Sequence, residues 1–157
     1  MNENYQNIKN IPDKKVNILI LIVEDDKYMN ETLKEVLEDE GYNVESSLTV
    51  LEAVNKVKHS EKKFHLLLLD YNLQFLSGVT GLDIFQIAKE KNPDIQAIMI
   101  SAYGDRKIKD KAREKGITAF LDKPFKINEL TDVVYKITDK IIHHGSTGGT
   151  NNFFYLN

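Results

Sequence analysis

Four consecutive leucines, Leu66 to Leu69, follow Phe64 and His65 and stop on Asp70. Successive side chains of a strand point to opposite faces, so an unbroken apolar run is apolar on both. Such a strand needs cover on each side. It belongs in the middle of a parallel sheet with helices above and below. Ligands of open parallel sheets bind beyond the carboxyl ends of the strands. Asp70 therefore stands where chemistry is expected, although an aspartate there also serves as an ordinary turn or cap residue.

The rest of the chain supplies that sheet. Met1 to Lys15 reads as a flexible arm. Val16 to Val23 is a second buried strand, ending in Glu24-Asp25-Asp26. A helix from Lys27 carries Met29, Leu33, Val36 and Leu37 at helical spacing, with Gly41 as its stop signal. Tyr42 to Ser47 alternates weakly, as a more exposed strand does. The second helix places Leu51, Val54 and Val57 on one face behind Thr49 as N-cap. After Asp70 a long loop, Asn72 to about Thr80, leads to a helix with Ile84, Phe85 and Ala88. Asn92-Pro93-Asp94 breaks it. Ile95 to Ile100 is the fourth strand, closed by Ser101. A polar helix, Asp105 to Lys115, has only Ile108 and Ala112 on its apolar face, so it is weakly anchored. Thr118 to Leu121 is the fifth strand, and Asp122-Lys123-Pro124 follows it. The final helix, Asn128 to about Ile142, turns Leu130, Val133, Val134, Ile137 and Ile141 inward.

Five β-α units in strict alternation, with short right-handed connections, predict one α/β doubly wound sheet with helices on both faces. The three most apolar strands go to its centre, which gives a five-stranded parallel sheet of order 2-1-3-4-5, flavodoxin-like. Residues 16–142 form this domain, and 143–157 is read as a flexible tail or linker, Gly/Ser/Thr-rich before Phe153-Phe154-Tyr155-Leu156. That tail is open to three readings: the start of a further domain, a docking peptide, or no role. Of 157 residues 41% are hydrophobic, 29% are charged, and the net charge is −3, which gives no basic excess for direct nucleic-acid binding. The absence of cysteine excludes thiol chemistry and Cys-ligated zinc. Ile18 to Val23, the longest apolar stretch, is too short to cross a bilayer, and no signal-peptide pattern precedes it, so a cytoplasmic location is expected.

The predicted strand order brings Glu24, Asp25 and Asp70 to one pole. Clustered carboxylates repel one another unless a cation neutralises them, and an all-oxygen set suits Mg²⁺. Asp26 is set aside as a helix cap. Lys123 adds an ammonium, and a cis Lys123–Pro124 peptide would aim it back over the strand ends. Ser101, closing the neighbouring strand, adds a hydroxyl. A carboxylate nucleophile, a metal, a hydroxyl and an ammonium are together the equipment of phosphoryl transfer to a carboxylate.

In ILIVEDD, LLLLDYNL, the ISAYG run and FLDKPF, in that order, the sequence resembles the bacterial response-regulator receiver domain of two-component signalling. The resemblance spans about Asn17 to Ile142. It implies that Asp70 is the phosphoacceptor, that Asp25 ligates Mg²⁺ (or Mn²⁺) directly and Glu24 through water, and that the backbone carbonyl of Asn72 completes the protein ligands. It makes Ser101 the switch hydroxyl, Phe120 the aromatic that turns inward with it, and Lys123 the family's lysine. Asn72 and Tyr103 fall where the family lines the path of hydrolytic water. The implied phosphodonor is a sensor histidine kinase, a histidine phosphotransfer protein or a small molecule such as acetyl phosphate. The implied output is a protein target that reads the fourth helix and fifth strand, with neither nucleic acid nor membrane contacted by this chain. One departure stands out: Gln74 replaces the family's loop proline, while Gly78 keeps its spacing and Gly81 resembles the glycine opening the next helix. This reads as an insertion of about three residues within Leu76 to Thr80. Two other readings remain. One is a receiver-like module that binds proteins without being phosphorylated. The other is a phosphohydrolase of the haloacid-dehalogenase type, against which stand Asn72, where a second aspartate is wanted, and carboxylates that lie upstream rather than downstream. The reading adopted is a phosphorylation switch rather than an enzyme acting on other molecules.

Overall fold

The computed structural model describes residues 17–73, 78–102, 106–144 and 154–156. Five βα units alternate as expected: β1 (Leu19–Val23), α1 (Lys27–Asp39), β2 (Asn43–Ser47), α2 (Val50–His59), β3 (Leu66–Asp70), α3 (Gly81–Lys91), β4 (Gln96–Ala102), α4 (Arg106–Glu114), β5 (Ala119–Lys123) and α5 (Ile127–His144). All strands are parallel, in the order β2-β1-β3-β4-β5. A sixth short strand, β6 (Phe154–Leu156), pairs in parallel with β5 and extends the sheet. The flexible arm expected at the N-terminus lies outside the described residues.

The alternation of side chains divides the core into two layers. Leu21, Val23, Leu67, Leu69, Met99 and Phe120 face one layer, together with residues of α2, α3 and α4. Ile20, Ile22, Leu66, Leu68, Ile98 and Leu121 face the other, closed by α1 and α5. This is why β1 and β3 have no polar residue until they end. The four leucines of β3 are wholly buried. At about 25 cal/mol per Å² of apolar surface removed from water, each fully buried leucine contributes about 2 kcal/mol before entropy is counted.

Several boundaries differ from those read in the sequence. β4 and β5 run on through Ser101 and Lys123, so both residues lie within strands rather than after them. α5 runs through His144, two residues into the stretch assigned to the tail. The inward face of α2 is carried by Ala53 and Val57, while Leu51 is 72% exposed. Val54 packs partly against the same core layer. α4 is as weakly held as predicted: only Ala112 is buried, with Ile108 packed partly against the core.

Candidate functional site

The site is built at the carboxyl ends of β1, β3 and β5. β1 stops where Glu24 and Asp25 meet the start of α1. Asp26 caps that helix, its carboxylate accepting from the Met29 N–H at 2.7 Å, so the role assigned to it is met. Asn30, buried one turn into α1, donates to the carbonyls of Glu24 (2.9 Å) and Ser47 (3.0 Å). It ties the ends of β1 and β2 to the helix. Glu24 itself is buried, with Oε1 accepting from the Asp26 N–H at 3.1 Å.

Asp70 ends β3 at 5% exposure. Its Oδ1 accepts from the Asn72 N–H at 2.9 Å, which fixes the carboxylate on the turn that follows. Gly81 stands directly behind it. A methyl group at Gly81 would lie 2.6 Å from the Asp70 carbonyl oxygen, so only glycine lets α3 start this close to β3. Asp83 closes the start of α3, its Oδ2 accepting from the Thr80 N–H (2.7 Å) and hydroxyl (2.9 Å).

Lys123 comes from β5, before a Lys123–Pro124 peptide that is cis. Its Nζ donates to Glu24 Oε2 at 2.8 Å and to Asp70 Oδ2 at 3.0 Å. One cation thus bridges carboxylates at the ends of two other strands. Burial, reinforced by the charge of Asp70, pushes the Glu24 carboxyl above its ordinary value against the pull of Lys123 and the Asp26 N–H. Burial alone would lower the Lys123 ammonium; its bonds to Glu24 and Asp70 outweigh that and hold it above the ordinary lysine value.

Glu24, Asp25 and Asp70 each offer one carboxylate oxygen, and these oxygens lie within 4.8 Å of one another. Hard oxygen donors converging at this distance fit a small divalent cation such as Mg²⁺. Ser101 is buried on β4, one residue beyond Ile100, the register partner of Asp70. Among the described residues its Oγ makes only a long 3.4 Å contact to the Ala102 carbonyl, a weak hold on the hydroxyl. Phe120 is 2% exposed and already within the core layer, so the inward turn expected of it is not needed to bury this ring. Beside it, Lys109 of α4 bonds Asp122 Oδ2 of β5 at 2.6 Å, with Nζ 6.0 Å from the Phe120 ring centre. Tyr103, Gln74 and residues 75–77, and with them part of the proposed loop insertion, lie outside the described residues.

The sequence reading missed Asn30 and the Lys109–Asp122 pair. Asn30 left a trace: a polar residue at a position of α1 that faces inward. Lys109 and Asp122 left none, since both belong to stretches that read as ordinary solvated charge.

The fold and site define a class, the parallel doubly wound domain with an acidic pole and a lysine on its last core strand. Residues 20–135 match the family model described as response regulator receiver domain. This chain belongs to that family. Its curated relatives include the sporulation initiation phosphotransferase F of Bacillus subtilis, 31% identical over 121 residues, covering 77% of this chain and 94% of the relative. The nitrogen assimilation regulatory protein NtrX of Azorhizobium caulinodans is 28% identical over 122 residues, 78% of this chain but only 26% of that protein. Among solved structures, a CheY-like receiver domain protein from Methanospirillum hungatei superposes with a TM-score of 0.73 at 27% identity, covering 82% of this chain and 98% of the other. The non-phosphorylated HemR receiver domain of Leptospira biflexa is 31% identical, with a TM-score of 0.68 and coverage of 76% and 93%. Receiver domains are signalling domains of two-component systems that work with histidine kinases or phosphotransfer proteins and bind Mg²⁺ through acidic residues. Among the described residues, no helix is long and apolar enough to cross a membrane.

Proposed function

We propose that this chain is a phosphorylation switch in which Asp70 is the phosphoacceptor. The observation that carries this reading is the seat of Asp70: a buried carboxylate at a strand end, held by the Asn72 N–H on one oxygen and by Lys123 on the other. A carboxylate oxygen of Asp70 attacks the phosphorus of a phosphohistidine or of acetyl phosphate. The new P–O bond forms as the P–N bond to imidazole, or the P–O bond to acetate, breaks and the leaving group takes the electron pair. Glu24, Asp25, Asp70 and the Asn72 carbonyl are the groups that would hold Mg²⁺ or Mn²⁺, whose contribution is to offset charge on the transferring group. Lys123 is drawn to the phosphoryl oxygens, because an ammonium already bonded to Asp70 Oδ2 follows the negative charge built there.

The weakly held hydroxyl of Ser101 is the second group free to follow that charge. Its strand is in register with β5, where Ser101 faces Asp122 and Met99 faces Phe120. A shift at Ser101 therefore reaches the α4–β5 surface, which a protein target reads. The phosphodonor is a sensor histidine kinase or phosphotransfer protein, the chemistry is confined to the chain's own aspartate, and the setting is the cytoplasm. Asn72 and Tyr103 tune the lifetime of the phosphorylated form.

The test is the intact mass of the protein after incubation with Mg²⁺ and acetyl phosphate, beside Asp70→Asn. A gain of one phosphoryl group, absent in the variant and without Mg²⁺, is expected. No gain from acetyl phosphate or from a panel of phosphorylated histidine kinases would instead support a module that binds partners without phosphorylation.

A further inference from the structure

The five-stranded core sheet leaves two edges, β2 and β5, and they are unlike. β2 is polar except at Val44, Asn43-Val44-Glu45-Ser46-Ser47, and its Glu45 is paired with Lys62 at 3.0 Å. Charge on an edge strand discourages pairing with another chain. β5 begins Ala119-Phe120-Leu121, with charge only at Asp122 and Lys123. Its free edge would present unpaired N–H and C=O groups along an uncharged, apolar segment, which is a template for strand addition.

β6 covers that segment and no more. Ala119 is in register with Phe154, Phe120 with Tyr155 and Leu121 with Leu156. The pairing ends where the charged residues of β5 begin. We propose that Phe154–Leu156 is a guard strand, docked in cis on β5, that excludes a second copy of this chain from the same sheet edge. Two copies related by a twofold axis would bring identical β5 edges together antiparallel, the arrangement such an axis imposes on equal strands. Nine residues, 145–153, separate α5 from β6. So short a tether keeps the segment at a high local concentration beside β5, which favours it over a second copy in free solution. With only three paired residues, the guard is also easily released. Such release would make self-association a property the chain can regulate.

The experiment uses the full chain without metal or phosphodonor, so its outcome is independent of the chemistry at Asp70. Successive N–H groups along a strand point to opposite edges, so of two adjacent positions in β6 only one donates to β5. Phe154→Pro and Tyr155→Pro are compared with the wild type by amide hydrogen exchange and by light scattering over a wide concentration range. Proline removes the N–H donor while keeping an extended backbone. At one of the two positions, β5 amides should exchange about tenfold faster or more at the dilute end of the range, where the chain is monomeric, β1 and β3 amides should stay protected, and a dimer should appear as the concentration rises. The other position should behave much like the wild type. Unchanged β5 exchange in both variants would overturn the guard strand. Faster exchange with a strictly monomeric chain would overturn the exclusion of a second copy, and so would a wild type that dimerises as readily as the variants.

Discussion

Lys123 Nζ sits 3.0 Å from Asp70 Oδ2 and, with the same ammonium, 2.8 Å from Glu24 Oε2. The two carboxylates are 6% and 2% exposed at the side chain, so neither is screened by water, and the lysine is their shared counter-charge. Removing it leaves two buried negative groups facing each other. Lys123→Met should therefore lower stability by about 3 kcal/mol, in the range seen when one partner of a buried pair is lost. Mg²⁺ should raise the melting temperature more in Lys123→Met than in the wild type, because the cation then supplies the missing charge. Thermal unfolding with and without Mg²⁺ checks both points, and an equal shift in the two proteins would count against the shared counter-charge.

Gly81 is required by approach rather than by a turn. Alanine is the better helix former by about 1 kcal/mol, yet its methyl would press on the backbone oxygen of Asp70 at 2.6 Å and on Leu69 Cβ at 3.3 Å. Neither neighbour is a flexible side-chain end. Gly81→Ala should destabilise by about 2 kcal/mol, as overpacking does, and should slow phosphoryl uptake by displacing the Asp70 backbone. Urea unfolding alongside the rate of mass gain measures the two effects. A stabilised variant with normal uptake would contradict the geometry.

How much of this was legible beforehand depends on what carries each feature. The strand order and the convergence of Glu24, Asp25, Asp70 and Lys123 could be read because hydrophobic pattern and alternation determine where strand ends fall. Thr49 and Asp26 were readable as caps because capping is local, and each accepts from the N–H three residues on. β6 was not, since pairing between Phe154–Leu156 and β5 depends on a sheet edge more than thirty residues away. The clamp by Asn30 and the Lys109–Asp122 bond depend on contacts between elements, and sequence spacing carries no information about those. Phe120 shows the limit of resemblance: it points to a residue for the family's switch aromatic but carries no information on whether that ring is already buried.

The Lys109–Asp122 bond is a polar tie between α4 and β5 for this thinly anchored helix. Its side chains are 16% and 28% exposed, and among the described residues Asp122 Oδ1 has no hydrogen-bond partner. Asp122→Asn keeps the shape and removes the charge. α4 amides should then exchange about tenfold faster, corresponding to a loss of about 1.4 kcal/mol, while α1 and α5 stay unchanged. Unaltered α4 exchange would show that Ala112 and Ile108 hold the helix without the ion pair.

His65 makes stability depend on pH. Its Nδ1 accepts from the Leu19 N–H at 3.1 Å, a bond only the unprotonated nitrogen can take. Burial, with the nearby charge of Lys63, lowers the folded-state pKa below its ordinary 6.5. Between that lowered value and 6.5 the unfolded chain binds more protons, so the His65 contribution is full above 6.5 and is lost as pH falls through this window. His65→Asn keeps an acceptor near the same place but does not titrate. Its urea midpoint should fall less than that of the wild type between about pH 7.5 and pH 5.5; equal falls would place the acid sensitivity elsewhere.

The switch turns on which residue takes the phosphoryl group. An acyl phosphate is reduced by borohydride to an alcohol, so a phosphorylated aspartate is recovered as homoserine and located by peptide mass mapping. After Mg²⁺ and acetyl phosphate, or transfer from a phosphorylated histidine kinase, homoserine should appear at position 70 alone. It should be absent in Asp70→Asn and strongly reduced in Lys123→Met. Homoserine at Asp25 or any other aspartate, the five-carbon 2-amino-5-hydroxypentanoic acid at Glu24 or another glutamate, or modification that persists in Asp70→Asn, would contradict the assignment of Asp70 as phosphoacceptor.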